Sequence, residues 1–245
     1  MDVYEKILTW WRSHRIRRPG DLDKLFQEFN PTFAYHSSLL EERQLSQSIV
    51  TEFFRTGAVS QFSGDPMELV QLYSHKRCYE YLRERVLARD DLDTSLVLEI
   101  HRVLNSGIYT DAYYLSQGER PGELKKQDFV TAVNAVGASA RDVGQELDGL
   151  MEEVSGYCGS DLLQAAAYFH CRFENIHPFA AGNGATGRVL VNYFLLTRDH
   201  PPLVIFSEDR EEYLQCLTAY DQEKNCQPLS AFFEKELLKT WSAEI

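Results

Sequence analysis

The reading of this chain turns on His177-Pro178-Phe179-Ala180-Ala181-Gly182-Asn183-Gly184-Ala185-Thr186-Gly187-Arg188, where a candidate base, a glycine-rich corner and a cation fall within one short stretch. Proline disfavours the helical region for the residue before it, so a helix arriving from upstream is expected to end near an extended His177. Gly182, Gly184 and Gly187 permit positive φ and allow a ligand to approach the main chain closely. The apolar run Val189 to Leu196 predicts a helix that begins around Ala185 to Arg188. Its first N–H groups would lack intrahelical partners and face back into the corner, where an anion is favoured.

Working outward, apolar residues recur at helical spacing through most of the chain. Upstream of the corner, Leu162, Ala166, Phe169 and Phe173 form the stripe of the helix leading into His177, and Val143, Leu147, Leu150, Met151 and Val154 form another. Earlier helices are expected around Ile7, Leu8 and Trp11, around Leu22 to Phe29 up to Pro31, around Ile49 to Phe54, over Leu69 to Val86 and over Leu96 to Leu104. The stretch from Gly107 to about Gly137 lacks such a stripe. Its run Phe129-Val130-Thr131-Ala132-Val133-Asn134-Ala135-Val136 suits a short hairpin. Beyond the corner, the Val189 helix is apolar nearly all round and so belongs in the interior. Ser207 is placed to cap the next helix, with Glu208 and Asp209 in its first turn. The fold class is all-α with one small β excursion. His101 and His170 fall on helical faces and read as satisfied structural groups.

At 245 residues and 44% hydrophobic, the chain can bury a substantial core. The 25 basic and 37 acidic residues give a formal charge of -12, which argues against non-specific binding to nucleic acid or to an anionic membrane. Cys78, Cys158, Cys171, Cys216 and Cys226 are odd in number and form no Cys-x-x-Cys, so neither a disulfide framework nor a zinc site is indicated. Trp10, Trp11, Arg12 and His14 interrupt any secretory apolar block, and no stretch is long enough to span a bilayer. Cytoplasmic residence is the expectation.

The segment from Phe173 to Phe179, continued through Gly182-Asn183-Gly184 and Arg188, resembles the signature of Fic-domain proteins, His-Pro-Phe-x-Asp/Glu-Gly-Asn-Gly-Arg-x-x-Arg. The similarity extends from about Tyr35 to Trp241, including Pro121-Gly122-Glu123, Pro201-Pro202 and Glu208-Asp209-Arg210. It implies a Fic-type helical domain over residues 35–245 with a short β-hairpin flap, a helical inhibitory piece near 35–56, and an N-terminal helical extension over 1–34. It also implies transfer of AMP from ATP to a Ser, Thr or Tyr hydroxyl of a target protein. In that scheme His177 takes the hydroxyl proton. Gly182, Asn183, Gly184 and Gly187 line the phosphates and Arg188 pairs with the terminal one. Phe129, Val130, Thr131 and Ala132 of the flap would dock the target segment by main-chain hydrogen bonds.

Two positions depart from the signature: Ala181 stands where the family has the acid that holds Mg2+, and Ala185 where it has its first arginine. Both weaken the grip on phosphate. Upstream, Ser37-Ser38-Leu39-Leu40-Glu41 resembles the family's inhibitory segment, with Glu42 departing at the last place. The resemblance therefore implies that Glu41 pairs with Arg188 and blocks the terminal phosphate, with Ser37 beside it. Two alternatives stay open: an inactive Fic domain that binds nucleotide or protein, and a deAMPylase that uses the inhibitory glutamate.

Overall fold

The computed structural model describes residues 2–107, 109, 116–129 and 137–245. Among the described residues the regular structure is entirely helical: ten α-helices and two 3₁₀ turns, with no strand. In chain order they are α1 (Val3–Ser13), α2 (Pro19–Leu40), α3 (Gln47–Thr56), α4 (Pro66–Ala88), α5 (Thr94–Leu104), α6 (Val143–Ser155), α7 (Leu162–Ile176), α8 (Asn183–Leu196), α9 (Arg210–Glu223) and α10 (Gln227–Trp241). Four start on an aspartate whose carboxylate accepts from an otherwise unbonded N–H. Asp2 caps α1, Asp65 caps α4 ahead of Pro66, Asp93 caps α5 and Asp161 caps α7.

The centre of the molecule is the α7–α8 pair, with α6, α9 and α10 against α7 and with α2, α4 and α5 against α8. Helix α8 is buried on every side, as its apolar composition requires: Leu190, Phe194 and Leu195 are 0% exposed. Full burial stabilises by about 1.5–3 kcal/mol for each such side chain, which fixes the helix that carries Arg188. A satellite core of Ala34, Leu45, Val50, Phe53 and Leu72 joins α2, α3 and α4. The segment from Ser37 to Arg43 lies between the two cores.

Two expectations need correcting. Helix α2 does not stop at Pro31 but runs to Leu40. Proline removes one N–H and one hydrogen bond, a loss that the burial of Phe26, Phe29, Ala34 and Leu40 offsets. Ser207 does not cap α9. It opens a 3₁₀ turn, and its N–H and hydroxyl both meet His36 Nδ1 at 3.1 Å. From 130 to 136 the hairpin expected between Gly107 and Gly137, with its run Phe129 to Val136, lies outside the described residues. Cys78, Cys171 and Cys216 are buried thiols, Cys226 is half-buried and Cys158 is exposed. No described helix is long and apolar enough to cross a membrane.

Candidate active site

Helix α7 ends on His177, which adopts φ 51 and ψ 62 rather than the extended conformation expected before proline. A left-handed residue turns the chain sharply after the last helical N–H, here His177 N to Phe173 O at 3.0 Å, and so aims Pro178 and Phe179 back across the core. Two main-chain bonds flank the histidine: Ala138 N donates to Ile176 O at 2.9 Å and Lys125 N to Pro178 O at 2.9 Å. Lys125 and Ala138 are therefore both fastened to the main chain beside His177. Phe129 is half-buried, while Val130, Thr131 and Ala132 lie outside the described residues.

The corner that follows is held from within. Asn183 is 3% exposed, and its side chain accepts from Phe179 N at 2.9 Å and donates to Phe179 O at 2.8 Å. Its amide is thus occupied in shaping the turn. Gly182 alone of the three glycines has positive φ, at 79, and a Cβ there would lie 2.1 Å from Asn105 Oδ1. Gly184 and Gly187 are helical, because α8 begins at Asn183, earlier than the apolar run indicates. Their smallness serves close packing: a Cβ on Gly184 would meet Glu41 Oε1 at 2.7 Å, and one on Gly187 would meet Glu174 Oε1 at 2.7 Å. Helix α8 has no side-chain cap, so its first amides are left to an incoming anion.

In the structure a carboxylate, Glu41, stands close to Gly184 and pairs with the arginine of the same helix. Its Oε1 accepts from Arg188 Nη2 at 2.7 Å, while Arg188 also donates from Nη2 to Ser37 O and from Nε to Ser37 Oγ, both at 3.1 Å. The Arg188 side chain is 4% exposed and that of Glu41 38%. Burial works against the Arg188 charge, but the carboxylate beside it prevails and holds its pKa above the ordinary value. On the far side of Arg188, Glu174 is pushed up to about 7, chiefly by burial, and its Oε1 has no partner. His170 donates or accepts through Nε2 with Tyr213 Oη at 2.6 Å, but its Nδ1 is left unbonded, so it is less fully satisfied than the sequence reading held.

Burial, with the Lys125 ammonium adding to it, pushes His177 down to about 4. The imidazole is neutral at pH 7 and has a lone pair free to take a proton.

The sequence profile of the Fic/DOC family matches residues 91–195, from the start of α5 to the end of α8. Residues 91–195 are thus a Fic/DOC-family segment. The chain is 42% identical over 52 residues to the protein adenylyltransferase Fic of Drosophila persimilis, covering 21% of this chain and 10% of that protein. It is 24% identical over 203 residues to the protein adenylyltransferase fic-1 of Caenorhabditis briggsae, covering 80% of this chain and 38% of that one. The chain thus spans well under half the length of these curated relatives. A Fic domain containing signaling protein from Bacteroides thetaiotaomicron superposes with a TM-score of 0.80 at 23% identity over 97% of this chain and 93% of that one. Fic-1 from C. elegans superposes with a TM-score of 0.74 at 20% identity over 96% and 69%. At those identities the superpositions speak to the fold alone.

Residues that the signature does not single out hold the Fic corner in place. His101 is 0% exposed, donates from Nε2 to Ala181 O at 3.0 Å, accepts at Nδ1 from Gly122 N at 2.8 Å, and stacks on Phe179 at 3.6 Å. Tyr109 Oη grips the same residue, accepting from Ala181 N at 3.0 Å and donating to Ala181 O at 3.2 Å. A buried histidine on α5 was legible as structural, but its partner 80 positions away was not. Position 181 offers no carboxylate, and among the described residues no three His, Cys, Asp or Glu side chains gather around a common point. The side chains at this corner do not fit a divalent ion held by the protein.

Proposed function

We propose that this Fic-family chain is a protein adenylyltransferase that transfers AMP from ATP to a hydroxyl side chain of a target protein, restrained by Glu41. The observation that carries the reading is the juxtaposition of a neutral, half-buried imidazole with an uncapped helix start whose arginine is held by a carboxylate from the end of α2. In the transfer, the hydroxyl oxygen bonds to the α-phosphorus as the bond from that phosphorus to the oxygen bridging to the β-phosphate breaks. Pyrophosphate leaves, and the hydroxyl proton passes to His177 Nδ1 or Nε2. The negative phosphates raise the basicity of the imidazole above its unliganded value of about 4 as they bind. The amides of Asn183 and Gly184, fixed by the Asn183 clamp on Phe179, stabilise charge on the α-phosphate. Arg188 takes the terminal phosphate once Glu41 leaves it. In this reading a target chain approaches His177 beside the main-chain bonds of Lys125 to Pro178 and of Ala138 to Ile176.

Ala181 and Ala185 favour a second reading, a Fic domain that binds nucleotide or protein without transfer. Incubation with α-labelled ATP separates the two, using the unaltered chain, Glu41→Gly, Ala181→Asp with Ala185→Arg, and His177→Ala. Label on the unaltered or Glu41→Gly chain that disappears with His177→Ala supports transfer. ATP binding with no label in any variant overturns it.

A further inference from the structure

Between the turn that follows α2, the middle of α4, the end of α5 and the glycine corner lies a cavity of about 300 Å³. That volume is at the lower end of those that take small ligands, roughly 300–1,000 Å³. Its floor is Ala181, Gly182 and Ala185, whose small side chains leave it open, and His177 is not among its walls. Three buried polar atoms on residues that line it have no hydrogen-bond partner: Ser38 Oγ, Arg43 Nε and Asn105 Oδ1. Ser38 is 3% exposed and Asn105 0%. Buried polar atoms in folded proteins are nearly always bonded, so three around one cavity mark a place shaped for a polar ligand.

The sign of the ligand's charge follows from the walls. Glu41 and Glu42, the neighbours of Arg43 in sequence, pair with Arg188 and Arg210 instead of with it. The Arg43 backbone is nevertheless fixed, since Arg43 N donates to Ser38 O at 3.1 Å and the next amide, Gln44 N, donates to Glu68 Oε1 at 3.0 Å. While Glu41 is in place the walls carry one charge of each sign. Withdrawing it leaves Arg43 as the charged wall of the cavity and frees Arg188, the partner of Glu41, which makes the space an anion site.

We propose that Arg43 is a phosphate-binding residue of this chain, its guanidinium gripping the nucleotide phosphates beyond the first, with the Ser38 hydroxyl as a second donor. Asn105 Oδ1 would accept from a water bridging the corner to the phosphate chain. This rests on the adenylyltransferase reading and adds to it a property of the 37–43 segment: the turn that carries the block also carries the grip. Deleting the segment would then lose nucleotide affinity, whereas neutralising Glu41 alone would raise it.

The test is calorimetric titration of ATP, ADP and AMP, in magnesium buffer, into the full chain carrying Glu41→Gly, Glu41→Gly with Arg43→Gln, and those two with Ala185→Arg. Losing charge-assisted bonds to phosphate weakens ATP and ADP about 10- to 100-fold on Arg43→Gln, with AMP changed by less than about two-fold. Ala185→Arg, which extends a guanidinium into the same cavity from its floor, restores most of the ATP affinity. ATP binding that is indifferent to Arg43→Gln, or a loss shared equally by AMP, overturns the assignment of Arg43. No nucleotide binding in any variant, with native circular dichroism and melting, sinks the adenylyltransferase reading itself and this assignment with it.

Discussion

Glu41→Gln should make the chain less stable and make it bind ATP more tightly. An exposed ion pair contributes about 0.2–1 kcal/mol, whereas breaking a fully buried one costs about 3–5 kcal/mol. The Glu41–Arg188 contact falls between, because Arg188 is 4% exposed but Glu41 is 38% exposed. Solvent screening on the Glu41 side brings the figure towards the lower end. The two bonds from Arg188 to Ser37 survive the change, and a glutamine can keep one neutral hydrogen bond. A loss of about 1–2 kcal/mol follows, and for a chain of this size each kcal/mol lowers Tm by roughly 2–4 °C. The same hold competes with the terminal phosphate. If ATP can bind only when Glu41 has swung away, its apparent Kd is the intrinsic value divided by the open fraction. Weakening the closed state by about 1–2 kcal/mol then tightens ATP roughly 5- to 30-fold and leaves AMP unchanged. Differential scanning fluorimetry and calorimetric titration read the two effects. A folded variant that melts lower yet binds ATP with unaltered affinity would show that Glu41 is a structural partner of Arg188 and not a competitor for its seat.

Three further outcomes are expected. Asn183→Ala strips both bonds from the Phe179 peptide groups and leaves them buried, costing about 2–4 kcal/mol in urea unfolding; a loss below about 1 kcal/mol would mean that the corner is held elsewhere. Gly182→Ala puts a Cβ into Asn105 Oδ1 at positive φ, so the thermal midpoint should fall, with α8's amides no longer presented to phosphate; a midpoint equal to the parent's would contradict this. Acid should destabilise the fold. Burial lowers His101 and His200 from 6.5 to about 4 and His170 to about 3, so the unfolded chain binds more protons, and their contribution, complete above pH 6.5, is lost as pH falls towards 4. Glu174 and Glu236, raised by burial from 4.5 to about 7, act in the opposite sense, their contribution fading as pH rises from 4.5 to 7. The histidines outnumber them. The urea midpoint should therefore drop between pH 6.5 and 5, and a flat or rising midpoint on acidification would refute this balance.

Helical periodicity was enough to find the elements because each carries a one-sided apolar stripe, and the all-round apolar α8 was legible as the central helix for the complementary reason. Local rules failed where distant packing overrode them. Pro31 reads as a stop, yet α2 continues because residues on both sides of it are buried in the two cores. Pro178 should hold the preceding residue extended, yet His177 is left-handed, because the chain must fold back so that Phe179 can stack on His101 from α5. Ser207 has a capping side chain, but His36, 171 positions away, engages it first.

The candidate site divides along the same line. His177, the corner and Arg188 are contiguous in sequence, so their chemistry is legible from residue order and spacing. The partners that decide how the site behaves are not contiguous: Glu41 reaches Arg188 across 147 positions and His101 reaches Ala181 across 80. Only the resemblance linked Glu41 to Arg188, and nothing in the local sequence indicated Asn105 or Arg43. Both face the glycine corner across the cavity with buried polar atoms that lack partners. Order along the chain fixes which groups can react, whereas the packing of α2, α4 and α5 around α8 fixes which charges those groups meet. A chain with Ala181 and Ala185 in its signature therefore cannot be read as inactive from the signature alone, since a guanidinium from α2's following turn already borders the space those two alanines leave open.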